Sequence, residues 1–270
     1  MGMNRLFILL LIYVCTGCQH KLYWPSKQSL MPHKTGEQFY LDALRMQWKQ
    51  RDSFATKEIL AGNIPSFLLH LVPINVTAVD STTRKVNRAT YYVLPDYLSV
   101  GGNNNWARVP LTPMAAQQIA DSLDCFLPTR KMVNDIYHAA KVKLVPVPMY
   151  SHRDSTITMW QHHLIIEGQR KQRKGLIAGI KKDVVISDLL ARSSKTNRVA
   201  IYGWHLLNGE PIQPLYTGHV NWYVDYSHGI RLVARKIKVN GTWMDYTKVM
   251  EDPILKKLLT DESVGDMIRY

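Results

Sequence analysis

Cysteine is scarce in this chain: 3 residues among 270. No pair or quartet of them stands at zinc-site spacing. Phosphate-binding glycine loops of both common types are absent, and so is the His-Glu-x-x-His pattern of helical zinc enzymes. Beyond the first eighteen residues no apolar stretch approaches the ~20 residues that cross a bilayer. Repeats and low-complexity tracts are missing too. These absences remove zinc-stapled, P-loop, solenoid and polytopic membrane classes. Acidic residues are outnumbered, with 21 Asp and Glu against 34 Lys and Arg and a net charge of +13. That balance favours anionic partners, or is simply a basic solvated surface. Basic runs at Arg170-Lys171, Arg173-Lys174, Lys181-Lys182 and Lys141/Lys143 read as solvated faces or loops.

What is present begins with a targeting segment. Arg5 precedes an unbroken apolar run from Leu6 to Val14, and Cys15-Thr16-Gly17-Cys18 supplies small residues before a cysteine. That order is a secretory signal, to be left out of fold reasoning. The segment resembles the lipobox of bacterial lipoproteins, with Cys15 standing where leucine is usual. The resemblance implies a signal peptide over 1–17, a lipid on Cys18 and a membrane-anchored protein of the cell envelope. An ordinary cleaved signal containing cysteine is the alternative. Residues 18–36 are polar and contain Pro25 and Pro32, so they are expected to be a tether. Residues 37–270 are expected to form one domain. In the mature chain Cys125 then has no disulfide partner, and is either buried or reactive. Outside the cytoplasm the excess positive charge points to an anionic glycan or cell-wall polymer, or to lipid head groups. Nucleic acid is a less natural partner there.

Hydrophobic spacing predicts an α+β fold, with a central helical cluster packed on a mostly antiparallel sheet. A helical stretch is expected over 37–60. Residues 73–79 and 89–94 read as strands around the polar turn 80–84. Thr112-Pro113 is a helix start, as N-cap and first helical residue. Met132, Val133, Ile136, Tyr137 and Ala140 give the buried face of a second helix, and 154–170 a third. Strands are expected at 184–186, 198–206 and 220–226. A further hairpin is expected to turn at Asn240-Gly241.

The chemistry-bearing segment is 202–231. It holds His205, His219 and His228, with Asp225, Ser227, Tyr226, Gln213, Trp204 and Arg231. Histidine suits proton transfer near neutral pH, a carboxylate can orient it, and arginine can hold an anion. His219, His228, Asp225, His205 and Cys125 are therefore the catalytic candidates. Arg231, Tyr226, Ser227, Gln213 and Trp204 are the substrate-binding candidates. If 220–226 continued as a strand, Asp225 and His228 would lie on opposite faces. A zinc site from His205, His219 and Asp225 has no diagnostic spacing, so neither a metal nor a cofactor is expected.

Three resemblances arise from these residues. Ser227-His228-Gly229-Ile230-Arg231-Leu232 resembles the signature of L,D-transpeptidases, but the nucleophilic cysteine between glycine and isoleucine is absent. Asp124-Cys125, the following helix and the strand Arg198–Gly203 resemble NlpC-type papain-like cell-wall cysteine peptidases. That family's histidine would fall at Arg198, so His205, His219 or His228 would have to replace it. The stretch from Leu127-Pro128-Thr129-Arg130-Lys131 to Asp225 resembles envelope proteins of Bacteroidota-type bacteria, which implies a coherent domain and no reaction. The histidine-rich segment, Cys125 and the export signal point to an envelope hydrolase acting on an amide or glycosidic bond of a cell-wall or glycan-derived substrate. The alternative is a non-catalytic surface module that binds anionic polymer.

Overall fold

The computed structural model describes residues 21–22, 33–262 and 269–270. The expected signal segment 1–17, the expected lipidation site Cys18 and most of the expected tether lie outside them. Lys21 and Leu22 belong to the expected tether, yet they pack on the domain. Lys21 bridges to His70, the Leu22 amide donates to the Leu69 carbonyl, and Leu22 is buried. The buried Leu22 side chain and the Leu22–Leu69 backbone bond dock the segment there.

The helical stretch expected over 37–60 is two helices, α1 (Gly36–Asp42) and α2 (Trp48–Leu60). The break has a local cause. Gln47 is extended and exchanges side-chain and backbone hydrogen bonds with Gln50, a capping box that starts a new helix. Leu44 and Met46 are left on the connecting turn. The expected hairpin follows as β1 (Val72–Val79) and β2 (Val86–Val93), in register from Val72↔Val93 to Val79↔Val86. A shorter hairpin, β3 (Ser99–Gly102) and β4 (Asn105–Arg108), turns at the asparagine run.

Three capped helices form the centre. In α3 (Pro113–Ser122), the Thr112 hydroxyl accepts from the Ala115 amide and Pro113 opens the first turn. After the short strand β5 (Cys125–Phe126), α4 (Arg130–Ala139) is capped by Thr129 and buries Met132, Val133, Ile136 and Tyr137, as the spacing requires. Strand β6 (Val142–Lys143) leads to α5 (Thr156–Arg170), capped by Ser155. The rest of the chain is mostly strand: β7 (Ile177–Ala178), β8 (Lys182–Val185), the short helix α6 (Asp188–Ala191), β9 (Ala200–His205), β10 (Pro211–Tyr216), β11 (His228–Gly229), β12 (Val233–Ala234), β13 (Lys236–Val239), β14 (Thr242–Asp245) and α7 (Tyr246–Glu251). Asn240 and Gly241 both take positive φ between β13 and β14, the geometry of a two-residue hairpin turn.

The fold is α+β, with mostly antiparallel sheets and no closed barrel. In the larger sheet, β2 pairs with β1 along its whole length and with β13 and β12 on its other edge, in the order β14-β13-β2-β12-β5. The second sheet has the order β10-β9-β8-β11, antiparallel except for the parallel pair β8 and β11. One core cluster runs from Phe39 and Ile59 through Val93 and Ile136 to Val249. No helix among the described residues is long and apolar enough to cross a membrane.

Candidate functional site

The second sheet positions the site. Lys182 on β8 lies in register with His228 on one side and Gly203 on the other. Paired residues on adjacent strands present their side chains to the same face. Lys182 and His228 therefore stand together, while Lys181 and Asp183 point to the opposite face.

Residues 220–226 were expected to be a strand and are a turn-rich loop instead. The Tyr223 amide donates to the Val220 carbonyl at 3.0 Å, and the His228 amide to the Asp225 carbonyl at 3.1 Å. Asp225 Oδ1 accepts from the Ser227 amide at 2.8 Å and from the Ser227 hydroxyl at 2.5 Å. Side-chain and local backbone bonds have taken the groups that a strand ladder would use. This removes the objection that Asp225 and His228 must face apart. The start of the loop is pinned where the Val199 amide donates to the His219 carbonyl.

The loop brings His219, Tyr223 and Asp225 to His228. The His219 ring lies 4.7 Å from the Tyr223 ring and 6.3 Å from the His228 ring, and Tyr223 is 6.0 Å from His228. Asp225 Oδ2 accepts from Arg153 at 2.8 Å and from the Tyr223 hydroxyl at 3.3 Å. Lys182 Nζ sits 5.2 Å above the Trp204 ring, a favourable cation–π position. Trp204 has φ +58, an uncommon backbone state for a bulky residue. Its Nε1, both ring nitrogens of His228 and Arg153 Nε are buried without a hydrogen-bond partner among the described residues. Orphaned buried polar groups and backbone strain are costly, and they gather where function requires them.

The electrostatics divide the roles. Burial pushes the Asp225 carboxyl up, but His228, the two Ser227 bonds and Arg153 outweigh it and hold it at about 2. Asp225 is thus a fixed anion. Burial pulls His228 down to about 4 against the opposing pull of Asp225. Burial also lowers His219 and Lys182, again with Asp225 opposing. Burial and Asp225 raise Tyr223 to about 12. At neutral pH the site therefore holds two uncharged imidazoles beside a carboxylate, with Lys182 and Arg153 as cations. His219 is half-buried and the accessible base, whereas His228 is only 1% exposed.

The remaining candidates lie elsewhere or serve the frame. Ser227 is buried and spends its hydroxyl on Asp225. Tyr226 is buried, its hydroxyl accepting from the Met149 amide, with Arg153 stacked 5.7 Å from its ring. Arg231 is sealed in the interior, donating to the Leu94 and Ile177 carbonyls at 2.8 and 2.7 Å, and so cannot receive substrate. His205 stacks on Tyr137 at 4.4 Å, and its Nε2 meets Asn134 at 2.9 Å. Gln213 donates to the Pro214 carbonyl on β10. Cys125 is 2% exposed on the larger sheet, its thiol donates to the Leu123 carbonyl, and burial pushes that thiol far up. A thiol held protonated in the core is a poor nucleophile.

Lys182, Arg153 and Tyr223 are not among the catalytic or substrate-binding residues that the sequence offers: Lys182 stands in a basic run, and only the fold brings Arg153 and Tyr223 to Asp225. Among the described residues no three His, Cys, Asp or Glu side chains are gathered as a metal site. Comparison with protein-family models, with curated proteins and with solved structures finds no match to this chain.

Proposed function

We propose that the chain is a lipid-anchored envelope hydrolase that cleaves an amide bond in a cell-wall or glycan-derived substrate. The observation that carries this reading is the convergence of His219, Asp225 and His228 beside Lys182, Arg153 and a strained Trp204. Neutral His219 takes a proton from water as the oxygen bonds to the amide carbon. Lys182 and Arg153 offset the charge that develops on the carbonyl oxygen. Asp225 favours the imidazolium of His219, which returns its proton to the leaving nitrogen as the C–N bond breaks. Glycosidic cleavage usually requires a pair of carboxyl groups flanking the bond. The site offers one buried carboxylate, already committed to Ser227 and Arg153, so the amide reading is preferred.

The anchor is part of the same proposal. Leu22, which docks on the domain, follows Cys18 by four positions. That length of extended chain reaches about 14 Å, so a lipid on Cys18 would hold the domain close to the bilayer. Replacing Cys18 by alanine should move the protein from the membrane fraction to the soluble fraction.

Digestion of purified wall polymer tests the chemistry. New amino groups should appear without new reducing ends, and His219→Ala should slow their release by ~100-fold or more. Retained turnover in His219→Ala would refute the assignment. Salt-sensitive polymer binding with no turnover would instead favour the binding module.

A further inference from the structure

Beside the candidate site, sharing Tyr223 with it, lies an open cleft of about 360 Å³. That is near the lower end of the size range of small-ligand sites, ~300 Å³. Its walls come from the turn between α1 and α2, the start of α2, the start of α5 and the 220–224 loop. Three of its features point to one kind of ligand.

The first is aromatic. Trp48 and Trp222 line the cleft and are 36% and 44% exposed, with Leu44 beside them at 47%. Exposed indole faces in a concave site suit a flat apolar surface edged with polar groups, which a pyranose ring presents. The second is a buried cation. Arg51 also lines the cleft and is only 4% exposed. It has no ion pair among the described residues, and its Nε has no hydrogen-bond partner among them. Its NH1 makes two long contacts, to the Asp154 carbonyl and the Thr156 hydroxyl, both 3.3 Å. Asp52 and Asp154 lie close enough to favour its charge, but neither pairs with it, and a buried guanidinium without a paired carboxylate is costly unless an anion meets it. The third is directional. Helices α2 and α5 both begin at this cleft, at Trp48 and Thr156, so two positive dipole ends are turned to it. Asp154 is the carboxylate on the lining. It is exposed, and it can accept from sugar hydroxyls.

We infer that this cleft is a substrate subsite for a carboxylate-bearing sugar unit, its ring on the tryptophans and its carboxylate directed to Arg51. The inference rests on the proposed hydrolase reading for its biological setting and on the cleft alone for its binding. It gives that reading a substrate class: an amide carried next to an acidic pyranose, which Tyr223 would bring level with His219.

Calorimetric titration of the full chain with N-acetylmuramic acid, and with N-acetylglucosamine as the counterpart lacking the carboxylate, tests it. The acidic sugar should bind at least about tenfold more tightly. Trp222→Ala, a change at an exposed side chain, should weaken its binding by about tenfold, and Trp48→Ala similarly. Arg51→Met should abolish the preference for the acidic sugar. Because that residue is buried, the tryptophan variants decide the matter should Arg51→Met fail to fold. His219→Ala should bind the sugar as the unaltered protein does. The inference falls if the acidic sugar does not bind, if N-acetylglucosamine or inorganic phosphate binds equally well, or if Trp222→Ala binds normally. Binding without turnover of wall polymer would sink the hydrolase reading and leave the subsite; turnover without binding would do the reverse.

Discussion

Replacing His228 by glutamine should make the protein relatively more resistant to acid. His228 is 1% exposed, and burial holds its imidazole at about 4. An unfolded imidazole titrates near ~6.5. Between those values the unfolded chain binds the proton and the folded chain does not. The stability tied to His228 is therefore fully present above the unfolded value and is lost as pH falls toward the folded one. At about pH 5 the loss amounts to about 2 kcal/mol, against almost none at about pH 7.5. That is a sizeable part of a typical domain's total stability, roughly 5–15 kcal/mol. Glutamine keeps a neutral polar side chain and removes the titration. Urea unfolding followed by circular dichroism, on both proteins at several pH values, gives the difference directly, since every other group cancels. The stability of His228→Gln relative to the unaltered protein should rise by about 2 kcal/mol from about pH 7.5 to about pH 5, a slope of about one proton. A pH-independent difference would mean that His228 titrates in the fold as it does in the unfolded chain, and a difference of opposite sign that it is held protonated. The neutral-imidazole chemistry proposed for the site would then lose its basis.

Three further outcomes follow from the packing. Arg108 is 1% exposed and donates to Asp96 at 2.8 and 2.6 Å, so Asp96→Ala should cost about 3–5 kcal/mol in urea unfolding, softened by the remaining bond to Glu167. A Cβ on Gly229 would come within 2.5 Å of the Tyr97 ring and 2.7 Å of Lys181 Cβ; Gly229→Ala should therefore lower stability by about 1–3 kcal/mol, read as a drop in melting temperature. Cys125 should resist thiol reagents until the chain unfolds, and Cys125→Ala should leave wall-polymer turnover intact; rapid labelling of the native protein would contradict its burial.

Local chemistry was readable wherever a short run of residues settles the outcome. The Thr112-Pro113 helix start, the buried stripe of α4 and the Asn240-Gly241 turn depend on near neighbours, and all three formed as read. The capping box at Gln47 and Gln50 is equally local, but the apolar residues Leu44 and Met46 disguised the break as helix. The histidine-rich segment was visible as a concentration of titratable groups. Its geometry was not. The run 220–226 has strand-like composition, and only the Asp225–Ser227 turn diverts it, turning two side chains expected on opposite faces into neighbours.

The sequence by itself determined the α+β class, the central helices, most strands and the segment where His219, Asp225 and His228 reside. Tertiary structure alone decided which of the singled-out residues meet. Lys182 reaches the site because β8 lies between β9 and β11, and Arg153 because the chain just before α5 passes the loop. Cys125 and Arg231 are enclosed because β5 and the approach to β12 lie inside the core. Spacing along the chain fixes periodicity over a few residues, whereas burial and distance between remote segments are set by how whole sheets and helices stack. That is why the candidate bases could be named from the sequence, and their cationic partners could not.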